Sequence, residues 1–261
     1  MRIEVGTRAV AYDDTGEGQP VVFVHGFPHH RKLWAPQLRA LSAHRRVIAP
    51  DLPGFGESDM PERFSIDAWA DGLARFLDAL GIERAIIAGL SMGGYITLAF
   101  WRLHQDRAAA LILADTRAGA DSEEGKQKRR ETIELARREG PTAVARTLLP
   151  GMVGKSTRDR EPSVVATMRA MLESASVDSI VGASEAMMNR ADATSSLATI
   201  DVPTLIVAGE EDVLTPPRES QAMHAAISGS RLEIIPAAGH VSNIERPAAF
   251  NQVVSEFLAE L

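Results

Sequence analysis

Ser91 lies at the centre of Gly89-Leu90-Ser91-Met92-Gly93, a G-x-S-x-G pentapeptide. The apolar run Arg84-Ala85-Ile86-Ile87-Ala88 precedes it, and Tyr95-Ile96-Thr97-Leu98-Ala99-Phe100-Trp101 follows. That order reads as strand, tight turn, helix. A serine at the tip of such a turn takes strained backbone angles, and glycines let the strand and helix pass closely. Its hydroxyl then faces outward beside the N–H groups of a helix start, where a base can reach it. The chemistry on offer is nucleophilic attack by Ser91 Oγ.

A serine nucleophile needs a base, and the base needs an acid to orient it. Of the seven histidines, His240 follows the linker Pro236-Ala237-Ala238-Gly239 after the last apolar run. This places it at a strand's C-terminal edge, where ligands bind in open α/β sheets. It is the candidate base; the plainer reading is a surface-loop histidine. For the acid, Asp212 ends Gly209-Glu210-Glu211-Asp212 at the same edge, and Val213-Leu214-Thr215-Pro216-Pro217 should turn it back towards the site. Glu210, Glu211 and Asp115 compete, Asp115 because it directly follows another core run; each also reads as a loop charge or a helix N-cap.

Acyl chemistry further requires donors for a developing oxyanion. One is expected from the Met92 N–H, next to the nucleophile. The second is expected from Phe27 in His25-Gly26-Phe27-Pro28, where Gly26 permits an unusual turn and Pro28 holds Phe27 extended. The plainer reading of this segment is a tight turn, with His25 a structural hydrogen-bonding residue.

These residues must be carried by strand ends. Val10 to Asp13, Val21 to His25, Arg46 to Pro50, Ala110 to Ala114, Thr204 to Ala208 and Arg231 to Ile235 read as strands, several apolar enough to be buried on both faces. Helical spacing falls at Leu33 to Leu41, Ser65 to Leu80 (Ser65 as N-cap, Gly81 as stop), after Ser91, at Arg218 to Ile227 and at Pro247 to Leu261. Repeated strand–helix units predict a parallel sheet covered on both sides. From about Asp121 to Ser196 no strand pattern occurs. The expected organisation is an α/β core of residues 1–118 and 197–261 interrupted by a helical cap, residues 119–196.

Bulk properties narrow the partners. With 45% hydrophobic and 24% charged residues the chain suits a soluble globular protein, and its net charge of −7 disfavours nucleic acid or an anionic membrane. There is no cysteine, hence no disulfide and no thiolate chemistry. The N-terminal residues lack the apolar core of a signal peptide, so cytoplasm is the expectation. His29 and His30 lack ligand spacing for a metal, and G-x-G-x-x-G is absent from every strand–helix turn, so neither metal nor nucleotide cofactor is expected. Met152, Met168, Met171, Met187 and Met188 read as helix packing or as an adaptable wall over the site. Glu123 to Glu139 reads as a solvated helix face.

Taken together, His25-Gly26-Phe27-Pro28, Asp51-Leu52-Pro53-Gly54-Phe55-Gly56-Glu57-Ser58, Gly89 to Gly94, Gly209 to Asp212 and Gly239-His240 resemble an α/β-hydrolase over essentially the whole chain. The resemblance implies Ser91, Asp212 and His240 as a catalytic triad, with the Phe27 and Met92 amides as the oxyanion hole. Serine at position 91 departs from the haloalkane dehalogenases and epoxide hydrolases, which carry aspartate there. Asp212 to Pro217 and Ala238 to Glu245 are similar to 3-oxoadipate enol-lactonases and related carboxylesterases. The expectation is a cofactor-free hydrolase of small esters or lactones. Two alternatives keep the same triad: acyl transfer to peroxide, as in cofactor-free haloperoxidases, and a hydrolase-like small-molecule receptor. Oligomeric state is left open.

Overall fold

A computed structural model describes residues 1–261. The chain runs β1 (Arg2–Val5), β2 (Arg8–Thr15), β3 (Pro20–Val24), α1 (Ala35–Leu41), β4 (Arg46–Pro50), α2 (Ile66–Ala79), β5 (Ala85–Leu90), α3 (Met92–His104) and β6 (Ala108–Ala114). Five helices follow with no strand between them: α4 (Glu123–Glu139), α5 (Pro141–Met152), α6 (Lys155–Arg160), α7 (Pro162–Glu173) and α8 (Val177–Met188). The sheet then resumes with β7 (Thr204–Gly209), α9 (Pro217–Ala226), β8 (Arg231–Ile235), α10 (Ser242–Glu245) and α11 (Pro247–Ala259).

The eight strands form one sheet in the order β1-β2-β4-β3-β5-β6-β7-β8. The β1–β2 and β2–β4 pairs are antiparallel and the rest parallel. Strand alternation divides the core. Val22, Val24, Ile87, Leu111, Leu113 and Ile206 meet the buried residues of α2 and α3 on one face. Val21, Phe23, Ile86, Ala88, Ile112, Leu205 and Val207 meet Leu41 of α1 and Phe250, Val254 and Phe257 of α11 on the other. Burial on both sides is why these strands read as unbroken apolar runs.

α2 shows how the local code works. Ser65 caps it, its hydroxyl accepting the Ala68 N–H at 3.0 Å, and Ile66, Trp69, Ala70, Leu73 and Leu77 recur at helical spacing on the buried face. The Leu33 to Leu41 pattern is split in two: a 3-10 turn, Arg31–Trp34, ends where Pro36 opens α1. β1, which the apolar patterning did not single out, is a sheet-edge strand with alternating exposed and half-buried residues.

Register aligns the strand ends. Val24 pairs with Gly89, Leu90 with Ala114, Ala114 with Val207, and Gly209 with Ile235. The residues just beyond, His25 to Pro28, Ser91, Asp115, Glu210 to Asp212 and Pro236 to His240, therefore share one edge. The chain reverses its winding between β3 and β5, the switch point at which doubly wound sheets open a crevice.

Candidate active site

Ser91 has φ +56° and ψ −115°, a left-handed conformation unusual for any residue with a side chain. The turn is held by Ser91 N–H donating to the Ala114 carbonyl (2.9 Å) and by Thr116 Oγ1–H donating to the Ser91 carbonyl (2.8 Å). Close approach makes Gly93 necessary: a Cβ there would sit 2.2 Å from the Val24 carbonyl oxygen. The start of α3 is thereby pressed against the end of β3. Gly26 plays the matching part, since its Cβ would fall 3.2 Å from Ser91 Cβ. The Phe27 and Met92 N–H groups, both on buried residues, donate to no acceptor in the protein. Uncommitted buried N–H groups are rare.

Ser91 is half-buried, and its Oγ lies 2.8 Å from His240 Nε2. His240 Nδ1 lies 2.8 Å from Asp212 Oδ2. Asp212 is buried and fully engaged. Its Oδ1 accepts the Leu214 and Thr215 N–H groups at 2.8 and 3.0 Å, and its Oδ2 also accepts the Thr215 hydroxyl at 2.6 Å. Burial alone would raise the Asp212 pKa; the His240 charge and these bonds outweigh it and hold the carboxyl below its usual value. Burial likewise disfavours a charged His240, but the Asp212 charge and its hydrogen bond reverse the sign and raise its pKa above the ordinary 6.5.

The competing carboxylates have other duties. Asp115, at φ +45°, accepts the Gly209 N–H at 2.8 Å, and the Ser242 hydroxyl and N–H at 2.6 and 3.2 Å. It thus ties the loop bearing Asp212 to the loop bearing His240 without bonding either residue. Its pKa is pushed up to about 8, first by burial and then by the Asp212 charge. Glu211 accepts from Ser156 N–H (2.8 Å) and Oγ–H (2.5 Å), and Glu210 accepts the Ala237 N–H at 3.0 Å.

His25 is a buried structural residue. Its Nδ1 lies 2.8 Å from the Gly26 carbonyl, its Nε2 accepts the Leu52 N–H at 3.0 Å, and burial pulls its pKa down to about 4. His29 is buried with neither ring nitrogen hydrogen-bonded, and burial drives its pKa well below 6.5. Met152, Met168, Met171 and Met187 are buried in the core and Met188 is half-buried. α4 buries only Ile133 and Ala136, and most of its charges face solvent, though the half-buried Arg129 donates to the buried Asp121 at 2.9 Å.

The sequence reading missed two supports. Thr215 was legible as the fourth residue of an Asp-x-x-Thr turn. Glu245 was not: one buried carboxylate accepts Gly239 N–H (2.8 Å) and Val241 N–H (3.4 Å) on either side of His240, and Gly154 N–H (2.8 Å) from the helical segment. That segment abuts the histidine loop so closely that a Cβ on Gly239 would lie 2.2 Å from Gly154 N. No helix is long and apolar enough to cross a membrane.

A family model described as alpha/beta hydrolase fold matches residues 19–247. The chain is 29% identical to 3-oxoadipate enol-lactonase 1 of Acinetobacter baylyi over 258 residues, covering 98% of this chain and 94% of that protein. Among solved structures, a thermophilic esterase from Thermogutta terrifontis superposes with a TM-score of 0.95 at 40% identity, covering 100% of this chain and 98% of that one. The enol-lactonase from Burkholderia xenovorans superposes with a TM-score of 0.92 at 31% identity, covering 99% and 100%.

Proposed function

The chain belongs to the α/β-hydrolase fold family, and from that premise we propose that it hydrolyses small carboxylic esters or lactones through an acyl-enzyme on Ser91. The observation that carries the reading is the unbroken path Ser91 Oγ, His240, Asp212, each link 2.8 Å, beside two unclaimed N–H donors. The esterase and lactonase relatives support the substrate class.

His240 Nε2 takes the Ser91 proton as Oγ bonds to the substrate carbonyl carbon. Asp212 keeps the Nδ1–H tautomer in place and stabilises the imidazolium. The Phe27 and Met92 N–H groups hold the oxyanion. Collapse breaks the bond to the leaving oxygen, which receives the proton from His240. Water, deprotonated by the same histidine, then releases the acid and restores Ser91. Residues 119–196 act as a cap over a core of residues 1–118 and 197–261, and set which acyl groups fit.

The test is hydrolysis of p-nitrophenyl acetate and butyrate and of a small lactone. The purified protein should turn over at least one of them, and Ser91→Ala should lose at least about 10³-fold in kcat/KM. Full activity in Ser91→Ala sinks the proposal.

A further inference from the structure

Away from Ser91, a cavity of about 330 Å³ opens between α2, strands β1 and β2, and the loop after β4. Ser91, Asp212 and His240 do not border it. Apart from Asp51, its buried lining is apolar, from Val10, Leu52, Trp69, Leu73 and Phe76. The volume falls within the range of small-molecule sites, about 300–1,000 Å³. The rim is cationic, with the exposed Arg63 and Arg75 and the half-buried Arg8 against the exposed Glu62. Arg8 reaches Glu62 only at 3.8 Å, and Arg63 and Arg75 enter no ion pair. Asp51, also on the lining, is already bound by the buried Arg31.

Gly72 of α2 lines the cavity. A glycine inside a helix destabilises it relative to alanine, and tight packing is the usual reason to keep one. Here a Cβ would meet no atom within 4 Å. No protein group needs the gap, and the gap opens into the cavity.

We propose that this cavity is a second small-molecule site, separate from Ser91, for a monocarboxylate with a short alkyl or single-ring body. The body packs on Trp69, Leu73 and Phe76, and the carboxylate meets Arg63 and Arg75. Charge complementarity at the rim and the apolar lining beneath it select this class over neutral or cationic ligands. The site does not depend on Ser91 being a nucleophile, so the two proposals fail separately.

The experiment titrates the full-length protein with octanoate while following its three tryptophan indole N–H resonances by NMR. Trp69 donates its indole N–H to the Pro53 carbonyl at 3.1 Å and is the reporter; its resonance is assigned with Trp69→Phe. The expected result is a saturable shift of Trp69, with Trp34 and Trp101 unmoved. The midpoint should weaken at least tenfold in Gly72→Leu, which fills the cavity, and in Arg63→Glu/Arg75→Glu, which reverses the rim. Octanol should bind at least tenfold more weakly than octanoate. No saturable Trp69 shift, or equal affinity in the folded Gly72→Leu or double-arginine variant, overturns the site; equal affinity for octanol overturns the ligand class.

Discussion

Replacing Asp212 by asparagine tests the role proposed for it, because the variant is nearly isosteric. Asp212 Oδ1 accepts two backbone N–H groups, and Oδ2 accepts the Thr215 hydroxyl and His240 Nδ1–H. An asparagine satisfies the two N–H groups only by placing its oxygen at the Oδ1 position. Its NH₂ then faces His240 Nδ1, which must become an acceptor, moving the ring proton to Nε2. That proton points at Ser91 Oγ, 2.8 Å away, where a base is needed. The expected loss in kcat/KM is about 10³–10⁴, or roughly 4–5.5 kcal/mol of transition-state stabilisation. The pH profile carries a second readout. In the proposed mechanism His240 must be unprotonated to accept the Ser91 proton, and Asp212 holds its pKa above 6.5, so wild-type activity should fade as pH falls through that raised value. Without the charge the pKa drops, and the acidic limb of the Asp212→Asn profile should move to lower pH while its plateau falls. The assay is p-nitrophenyl acetate hydrolysis between about pH 5 and 9. A variant within tenfold of wild type, or one whose acidic limb stays in place, refutes the argument.

Glu245→Gln leaves at least one buried N–H among Gly154, Gly239 and Val241 facing a donor. It should cost about 1–3 kcal/mol in urea unfolding and lower kcat more than it raises KM; unchanged stability contradicts the assigned role. Gly93→Ala drives a methyl into the Val24 carbonyl at 2.2 Å. It should cost about 1–3 kcal/mol and, by shifting the start of α3, on the order of 10²-fold in kcat/KM; a neutral variant contradicts the close approach. Asp115, raised to about 8 in the folded chain, keeps a proton that the unfolded chain releases near about pH 3.9. Its contribution is full below that value and is lost as pH rises towards 8. The stability of Asp115→Asn relative to wild type should therefore grow with pH, by at most about 1.4 kcal/mol per unit. Urea unfolding near about pH 5 and pH 8 reads this, and a pH-independent difference contradicts it.

Much of the architecture was legible because local chemistry and tertiary position agree. Val21 to Val24 and Ile86 to Ala88 are apolar on both faces and lie buried in the middle of the sheet. Arg2–Val5 carries only a weak pattern because an edge strand buries little. Within the site, Ser91, His240 and Asp212 announce themselves as residues following apolar runs. Choosing Asp212 over Asp115 from sequence rested on the turn that follows it. In the structure Asp115 is occupied by Gly209 and Ser242. Glu245 was illegible because its defining partner, Gly154, lies 91 residues away, on a segment whose docking no local spacing encodes. The same holds for Gly72, whose significance is the empty space beside it.

The proposed function turns on covalent chemistry at Ser91. Mixing the protein with excess p-nitrophenyl acetate, quenching in acid during the first turnover and weighing the peptides tests it directly. The expected result is a burst of p-nitrophenol matched by one acetyl group on the peptide containing Ser91, and neither signal in Ser91→Ala. Hydrolysis in which a burst and acetylation persist in Ser91→Ala, with the label on another residue, would contradict it.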